Sequence, residues 1–288
     1  MQAVALTWEQ SGLLAAGLYA GAYGMSRLPR GSVRRLWPFL REAGTIAVLY
    51  AMWQLVGTLS VMGTSGAYVR ARWIVRFQRG LPFPHESSVQ SVVLPHPLLA
   101  QFCNLYYAGL HFAGLFALLL WLFARHRAQY ARARLSVVVL TGSCLLVQLV
   151  PVAPPRLAPQ AQVVDVAARY GQSVYGSMGA GADQLSAMPS VHVAWALLIA
   201  VVVIRVSRSR LRWLIVAYPI ATIFVVIATG NHFWLDGIVA AAILALGEAA
   251  IGLGCRIRAR SSGSLSNRAV ALKPGVAPDR SPAVRSHT

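Results

Sequence analysis

His232 and Asp236 stand four residues apart in TGNHFWLDGIVA (229–240). On a helix that spacing puts both side chains on one face, where a carboxylate can fix the tautomer and orientation of an imidazole. A second histidine, His192, follows Ser190 at the mouth of an apolar run in AMPSVHVAW (187–195), and Arg156 lies in PVAPPRL (151–157). These residue types together supply the parts of phosphoryl transfer, which asks a protein mainly to position and neutralise a phosphate, present a nucleophile and protonate the leaving oxygen. His232, held by Asp236, can attack; His192 can act as general acid. Arg156 offers a planar fork to two phosphate oxygens, and Ser190 adds a hydroxyl and the N–H groups of a helix start. The scheme needs no metal and no cofactor.

Each piece alone has a plainer reading. Pro189 is a good first-turn residue, so MPS can be no more than a helix start. His192 can be an interfacial imidazole and Arg156 a cation touching lipid head groups. Asn231 reads either as a helix cap or as a phosphate ligand. In NLYYAGLHF, Asn104, Tyr107 and His111 fall at i, i+3 and i+7 on one helical face. Such a stripe serves either an interhelical hydrogen-bond network or a head-group or acceptor pocket.

The elements that must position these residues are membrane spans. Of the 288 residues, 57% are hydrophobic and 12% charged, and the apolar ones come in blocks. About 20 such residues cross a bilayer as a helix. Blocks at 5–26, 44–63, 98–124, 135–152, 189–206, 211–229 and 233–255 predict an all-α polytopic bundle of six to seven transmembrane helices. The first block carries Glu9 and reads as a retained span, not a cleaved leader. The expected organisation is a membrane-embedded catalytic domain over residues 1–260 and a basic disordered tail over 261–288, rich in Ser, Pro, Gly and Arg.

The net charge of +18 lies in the gaps between spans: Arg27 to Arg41, Arg125 to Arg134, Arg205 to Arg212, and Arg256 to Arg260. With seven spans these clusters share one face, which the positive-inside rule makes cytoplasmic. The N-terminus and the three motif segments then lie outside and the C-terminus inside, in the cell membrane. Without a nucleic-acid reader module, the charge points to anionic lipid as partner rather than to nucleic acid. Cys103, Cys144 and Cys255 are scattered, which predicts neither a disulfide framework nor a metal cluster. Oligomeric state has no sequence signal.

PVAPPRL, AMPSVHVAW and TGNHFWLDGIVA, in this order and spacing, resemble the motifs of the type 2 phosphatidic acid phosphatase superfamily, and within it the branch of the inositol phosphorylceramide synthases. The similarity covers residues 43–255. It implies that His232 becomes phosphorylated, with Asp236 orienting it, His192 protonating the leaving group, and Arg156 and Ser190 binding phosphate. The phosphatase branch carries a lysine seven positions before its motif arginine and an arginine six before its nucleophile; here Leu149 and Val226 stand there. That departure points toward the synthase-like branch, as does RARWIVRFQRGLPFPHESSVQ (70–90), whose Glu86 matches a glutamate of that branch.

The expected activity is therefore transfer or hydrolysis of a lipid phosphate or phospholipid, with water, a polyol or a lipid alcohol as acceptor. A plain hydrolase of polyprenyl or lipid phosphates is the alternative. A non-enzymatic lipid transporter or scramblase is another, although the chain lacks paired broken spans. A metal-dependent hydrolase would have to draw on only eight acidic residues, a thin supply for a hard cation.

Overall fold

The computed structural model describes residues 6–29, 31, 33–58, 65–173 and 183–271. The chain divides into two units, Met1–Gly247 and Glu248–Thr288. Among the described residues all regular structure is helical except for one isolated bridge, Val152 with Ser186.

The first unit opens with a hairpin of α1 (Trp8–Arg27) and α2 (Trp37–Thr58). Thr7 starts α1 with a capping box, accepting from the Gln10 N–H while the Gln10 side chain answers its backbone. The two helices are tied by Tyr19 to Thr45 at 2.9 Å and by the Gln54 amide to the Leu6 carbonyl at 2.9 Å. Glu42 then joins α2 to a later helix by accepting from Tyr130 and Arg134.

Next come α3 (Ser65–Gln78) and α4 (Glu86–Val93), both too short to span. Arg70, Arg72, Arg76 and Arg79 in and just after α3 surround exposed Trp73 and Phe77, whose rings stack 5.4 Å apart. That is the make-up of a helix lying in a head-group layer. Its other face buries Ala67, Ala71 and Ile74 against Val152, Ala187 and Phe233, the segments that carry the site.

The bundle itself consists of α5 (Pro97–Leu105) running through a π-helical turn (Tyr106–Leu110) into α6 (His111–Arg125), then α7 (Arg127–Gln148), α9 (Val191–Val206), α10 (Ala217–Ala228) and α11 (Trp234–Ala271). A single-turn α8 (Val166–Arg169) sits in the loop after α7. Leu122, Leu140, Val193, Leu198 and Ile227 fill the bundle interior, while Leu98, Leu146 and Ile220 point outward, as side chains in contact with lipid do.

Of the seven expected spans, four match helices long and apolar enough to cross a membrane: Pro97–Arg125, Arg127–Gln148, Arg210–Ala228 and Trp234–Ile257. Val191–Val206 is a shorter apolar helix. The first two blocks are helical but fall outside that apolar set, and residues 59–63 of the second lie outside the described residues. The second unit is, over its described part, the continuation of α11 to Ala271. The expected tail thus begins with helix, and residues 272–288 lie outside the described residues.

Candidate active site

The loop after α7 is a hub. Val152 donates its N–H to Leu185 at 2.6 Å and accepts from Ala187 at 3.1 Å, which pins the strand-like segment before α9. The Ala153 N–H reaches the Ala67 carbonyl at 3.3 Å, and the Arg156 N–H reaches Gly230 at 2.9 Å. Gly230 has φ +72°, and a Cβ there would lie 2.6 Å from Val163 Cγ1 and 3.2 Å from Arg156 Cβ. Only glycine lets the turn after α10 close this tightly on the arginine.

That turn delivers His232. Its Nδ1 lies 2.7 Å from the Ala187 carbonyl and 3.2 Å from Asp236 Oδ2. Both oxygens are acceptors, so Nδ1 carries the proton and Nε2 the lone pair. Nε2 is buried and has no partner in the protein. Asp236 is fully buried in the first turn of α11, where Oδ2 also accepts the Phe233 N–H at 2.8 Å. A carboxylate at a helix start is favoured by the helix dipole.

Ser190 caps α9 by accepting from the Val193 N–H at 3.3 Å, and its own N–H donates to the Asp236 carbonyl at 3.2 Å. The starts of α9 and α11 are thereby locked together. The N–H groups of the first turn of α9 have no helix carbonyl to reach, the usual basis of an anion site.

The ring of His192 lies 5.6 Å from that of His232. Tyr107 stacks on it at 4.2 Å and 20°, and His111 meets it at 4.1 Å and 59°. A straight α-helix would put Asn104, Tyr107 and His111 on one face. The π-helical turn shifts that register. Tyr107 and His111 reach His192, whereas Asn104 donates to Val166 and Gln172 at 3.3 and 2.8 Å and holds the loop around α8.

Arg156 donates from Nη1 to Asn231 Oδ1 at 2.9 Å and pairs through Nε with Asp165 at 3.2 Å. Asn231 in turn donates to Thr229 at 2.8 Å. The guanidinium is thus held by the residue next to His232. Glu86 lies apart from this cluster. It is buried, accepts from Gln78 at 2.6 Å, and through Gln78 Oε1 is linked to the Leu235 N–H at 2.7 Å. Its visible work is to brace the start of α11.

Three contributors carry no sequence motif: the Ala187 carbonyl, Asp165 and Gln90. Gln90 is buried and bonds Val164 N, Val164 O and Ala228 O at 2.8 to 3.0 Å, clamping the hub loop to the end of α10. Its trace in the sequence is a glutamine four residues after Glu86, on the α4 face that also buries Glu86 and Val93. Behind the site, a cavity of about 250 Å³ is lined by Arg70, Trp73, Val147, Val150, Met188 and Leu235. Among the described residues no group of three or more His, Cys, Asp or Glu side chains could hold a metal ion. Cys103 and Cys144 are buried and free, and Cys255 is exposed and free.

An all-α membrane bundle that gathers two histidines, an aspartate and an arginine from three separate chain segments is a membrane protein built around a polar site. The family model described as the PAP2 superfamily matches residues 72–251, and the chain belongs to that superfamily, whose members are phosphatases and phosphotransferases. No curated protein and no solved structure matches it.

Proposed function

We propose that the protein transfers the phosphate-containing group of a membrane lipid through a phosphohistidine on His232. The observation that carries this reading is the state of the His232 ring: Nδ1 is held by Ala187 and Asp236, and Nε2 is buried with its lone pair unused. In the first step that lone pair forms a bond to phosphorus. The bond to the leaving oxygen breaks, its electron pair goes to that oxygen, and His192 supplies the proton. Asp236 stabilises the imidazolium that develops. In the second step water or an alcohol gives its proton to His192 and attacks phosphorus, and the bond to Nε2 breaks. Arg156, aimed by Asn231, and Ser190 with the start of α9 bind the phosphate oxygens.

The apolar cavity against Met188 and Leu235 suits a hydrocarbon chain of the substrate. Leu149 and Val226 in place of two cations favour the synthase-like branch and an alcohol acceptor; Val226 is 2% exposed and packed in the bundle. The hydrolase reading shares every step up to the second. The arginine clusters favour an extracytoplasmic site in the cell membrane, with the N-terminus outside and the C-terminus inside.

The test is purified protein in detergent and EDTA, offered lipid phosphates and phospholipids with and without polyol or lipid-alcohol acceptors. Expected is metal-independent transfer, with a new phosphodiester or phosphomonoester when the right alcohol is present and release to water when it is absent. Activity lost on chelation and restored by one divalent metal would overturn the mechanism. Failure to turn over any lipid in the panel would favour the transporter reading.

A further inference from the structure

The cavity behind the site has one charged side chain in its wall. Arg70 of α3 lines it with Trp73, Val147, Val150, Met188 and Leu235, and none of the other lining side chains is charged. The guanidinium is fixed at one corner, where Nε donates to the Pro151 carbonyl at 2.6 Å. Its Nη2 is buried and has no hydrogen-bond partner among the described residues. Gly66, about one helical turn earlier, leaves room for this pose: a Cβ there would lie 2.6 Å from Nη1 and 3.3 Å from Nη2. A buried charged donor without an acceptor is costly and calls for a partner.

Trp73, Val147 and Val150 are exposed, so the cavity opens on the outer surface of the bundle, between α3 and the segment that follows α7. The charge comes from the helix with the make-up of a head-group layer, and the apolar wall comes from the end of a spanning helix. That is the order of parts in an amphiphile, and basic pockets at such a level take lipid head groups. The inner wall is the support of His232: Met188 follows Ala187, whose carbonyl lies 2.7 Å from His232 Nδ1, and Leu235 precedes Asp236.

We propose that Arg70 and this cavity form one subsite for the lipid substrate, in which a hydrocarbon chain fills the cavity and the guanidinium binds a phosphate oxygen at the head of that chain. The assignment rests on reading the protein as an enzyme of membrane lipids and adds a selectivity to it. A lipid with the same chain and a neutral head is held more weakly. No bond is made or broken at this subsite, and Nη2 supplies the hydrogen bond that a neutral head cannot match in strength.

The experiment uses the full-length protein in detergent and a single-chain alkyl phosphonate with a diazirine in its chain. The carbon–phosphorus bond resists transfer, so labelling reads binding without turnover, and a failure of the phosphohistidine scheme does not touch the result. An alkyl alcohol with the same chain and diazirine is the neutral probe. On illumination the phosphonate should label Trp73, Met188 or Leu235, and the alcohol about tenfold less, as a hydrogen bond to a charged group predicts. Arg70→Gln, which can still donate to Pro151, should bring phosphonate labelling down to the level of the alcohol. Equal labelling of the wild type by the two probes would overturn the assignment, and this comparison needs no variant. Phosphonate labelling unchanged in Arg70→Gln would overturn it too. Full competition by inorganic phosphate at equal concentration would make this a site for free phosphate and overturn its lipid character.

Discussion

His192 and His232 lie with ring centres 5.6 Å apart and planes tilted by 58°, and no hydrogen bond joins them. Each is fixed by its own surroundings, His232 by acceptors on Nδ1 and His192 by flanking rings. Removing one therefore leaves the other in place, and their roles separate by experiment. His232→Ala should abolish turnover of every substrate, since the proposed mechanism then has no nucleophile. His192→Ala should slow an alkyl phosphate about 10²- to 10⁴-fold and recover much of its rate on a nitrophenyl phosphate. Steady-state rates on the two substrates check this, and equal recovery by both variants would mean that the roles are misassigned.

Asp236→Asn keeps a hydrogen-bond acceptor beside the Phe233 N–H but loses the charge that, in the proposed mechanism, stabilises the His232 imidazolium. The variant should fold and bind lipid, with the rate loss falling on formation of the phosphohistidine. Rapid quench with labelled lipid phosphate and an alkaline work-up reads the intermediate directly. A burst like that of the wild type would leave Asp236 a structural carboxylate.

The histidine and aspartate of the last motif were legible as a pair from their spacing, but not by the route expected: the spacing was read on a helix, whereas α11 begins at Trp234 and His232 reaches Asp236 from the turn before it. The link from His232 to the Ala187 carbonyl spans 45 residues and uses a backbone atom that every residue possesses, so no side-chain pattern marks it. Asp165 was visible only as one of few acids, and its pairing with Arg156 depends on how a long loop folds back. The stripe of Asn104, Tyr107 and His111 was read on a straight helix. The π-helical turn divides it, sending two members to His192 and one to the loop around α8. The bundle was legible where composition alone decides, as in the four long apolar helices. It was less so in α1 and α2, whose hairpin is tied by Tyr19, Thr45 and Gln54 as well as by packing.

Gly230→Ala forces an L side chain into a left-handed conformation and brings its Cβ 2.6 Å from Val163. The strain is about 1–3 kcal/mol, and relieving it moves the turn that sets Arg156 and His232. A lowered unfolding temperature in detergent should accompany a raised KM for phosphate substrates. An unchanged KM would show that the turn absorbs the methyl group without moving the arginine.

Gln90→Leu conserves bulk but leaves Val164 N, Val164 O and Ala228 O short of a partner in a buried place. An unsatisfied buried group costs about 1–3 kcal/mol, so this change should destabilise the protein more than the loss of any exposed side chain in α4. Thermal unfolding of Gln90→Leu against Ser88→Ala in the same detergent measures the difference. Equal midpoints would mean that the clamp is replaced at no cost.

The orientation of the bundle can be read from two exposed positions at opposite ends of α9. Gln160 lies in the hub loop beside the site, and Arg208 follows the far end of the helix. The helix has 16 residues and rises about 1.5 Å per residue, which is most of the way across a hydrocarbon core of about 30 Å. The two positions therefore report opposite faces. Arg208 belongs to the cluster Arg205, Arg208, Arg210 and Arg212, one of four basic gaps that share a face if the chain crosses seven times. Translocating such a cluster is disfavoured, so it should stay in the cytoplasm. In a background with Cys103, Cys144 and Cys255 replaced, a cysteine at Gln160 should react with an impermeant thiol reagent added to intact cells. A cysteine at Arg208 should react only after permeabilisation. The reverse pattern would place the two histidines on the cytoplasmic face, and the lipid donor and acceptor would have to be sought in the inner leaflet.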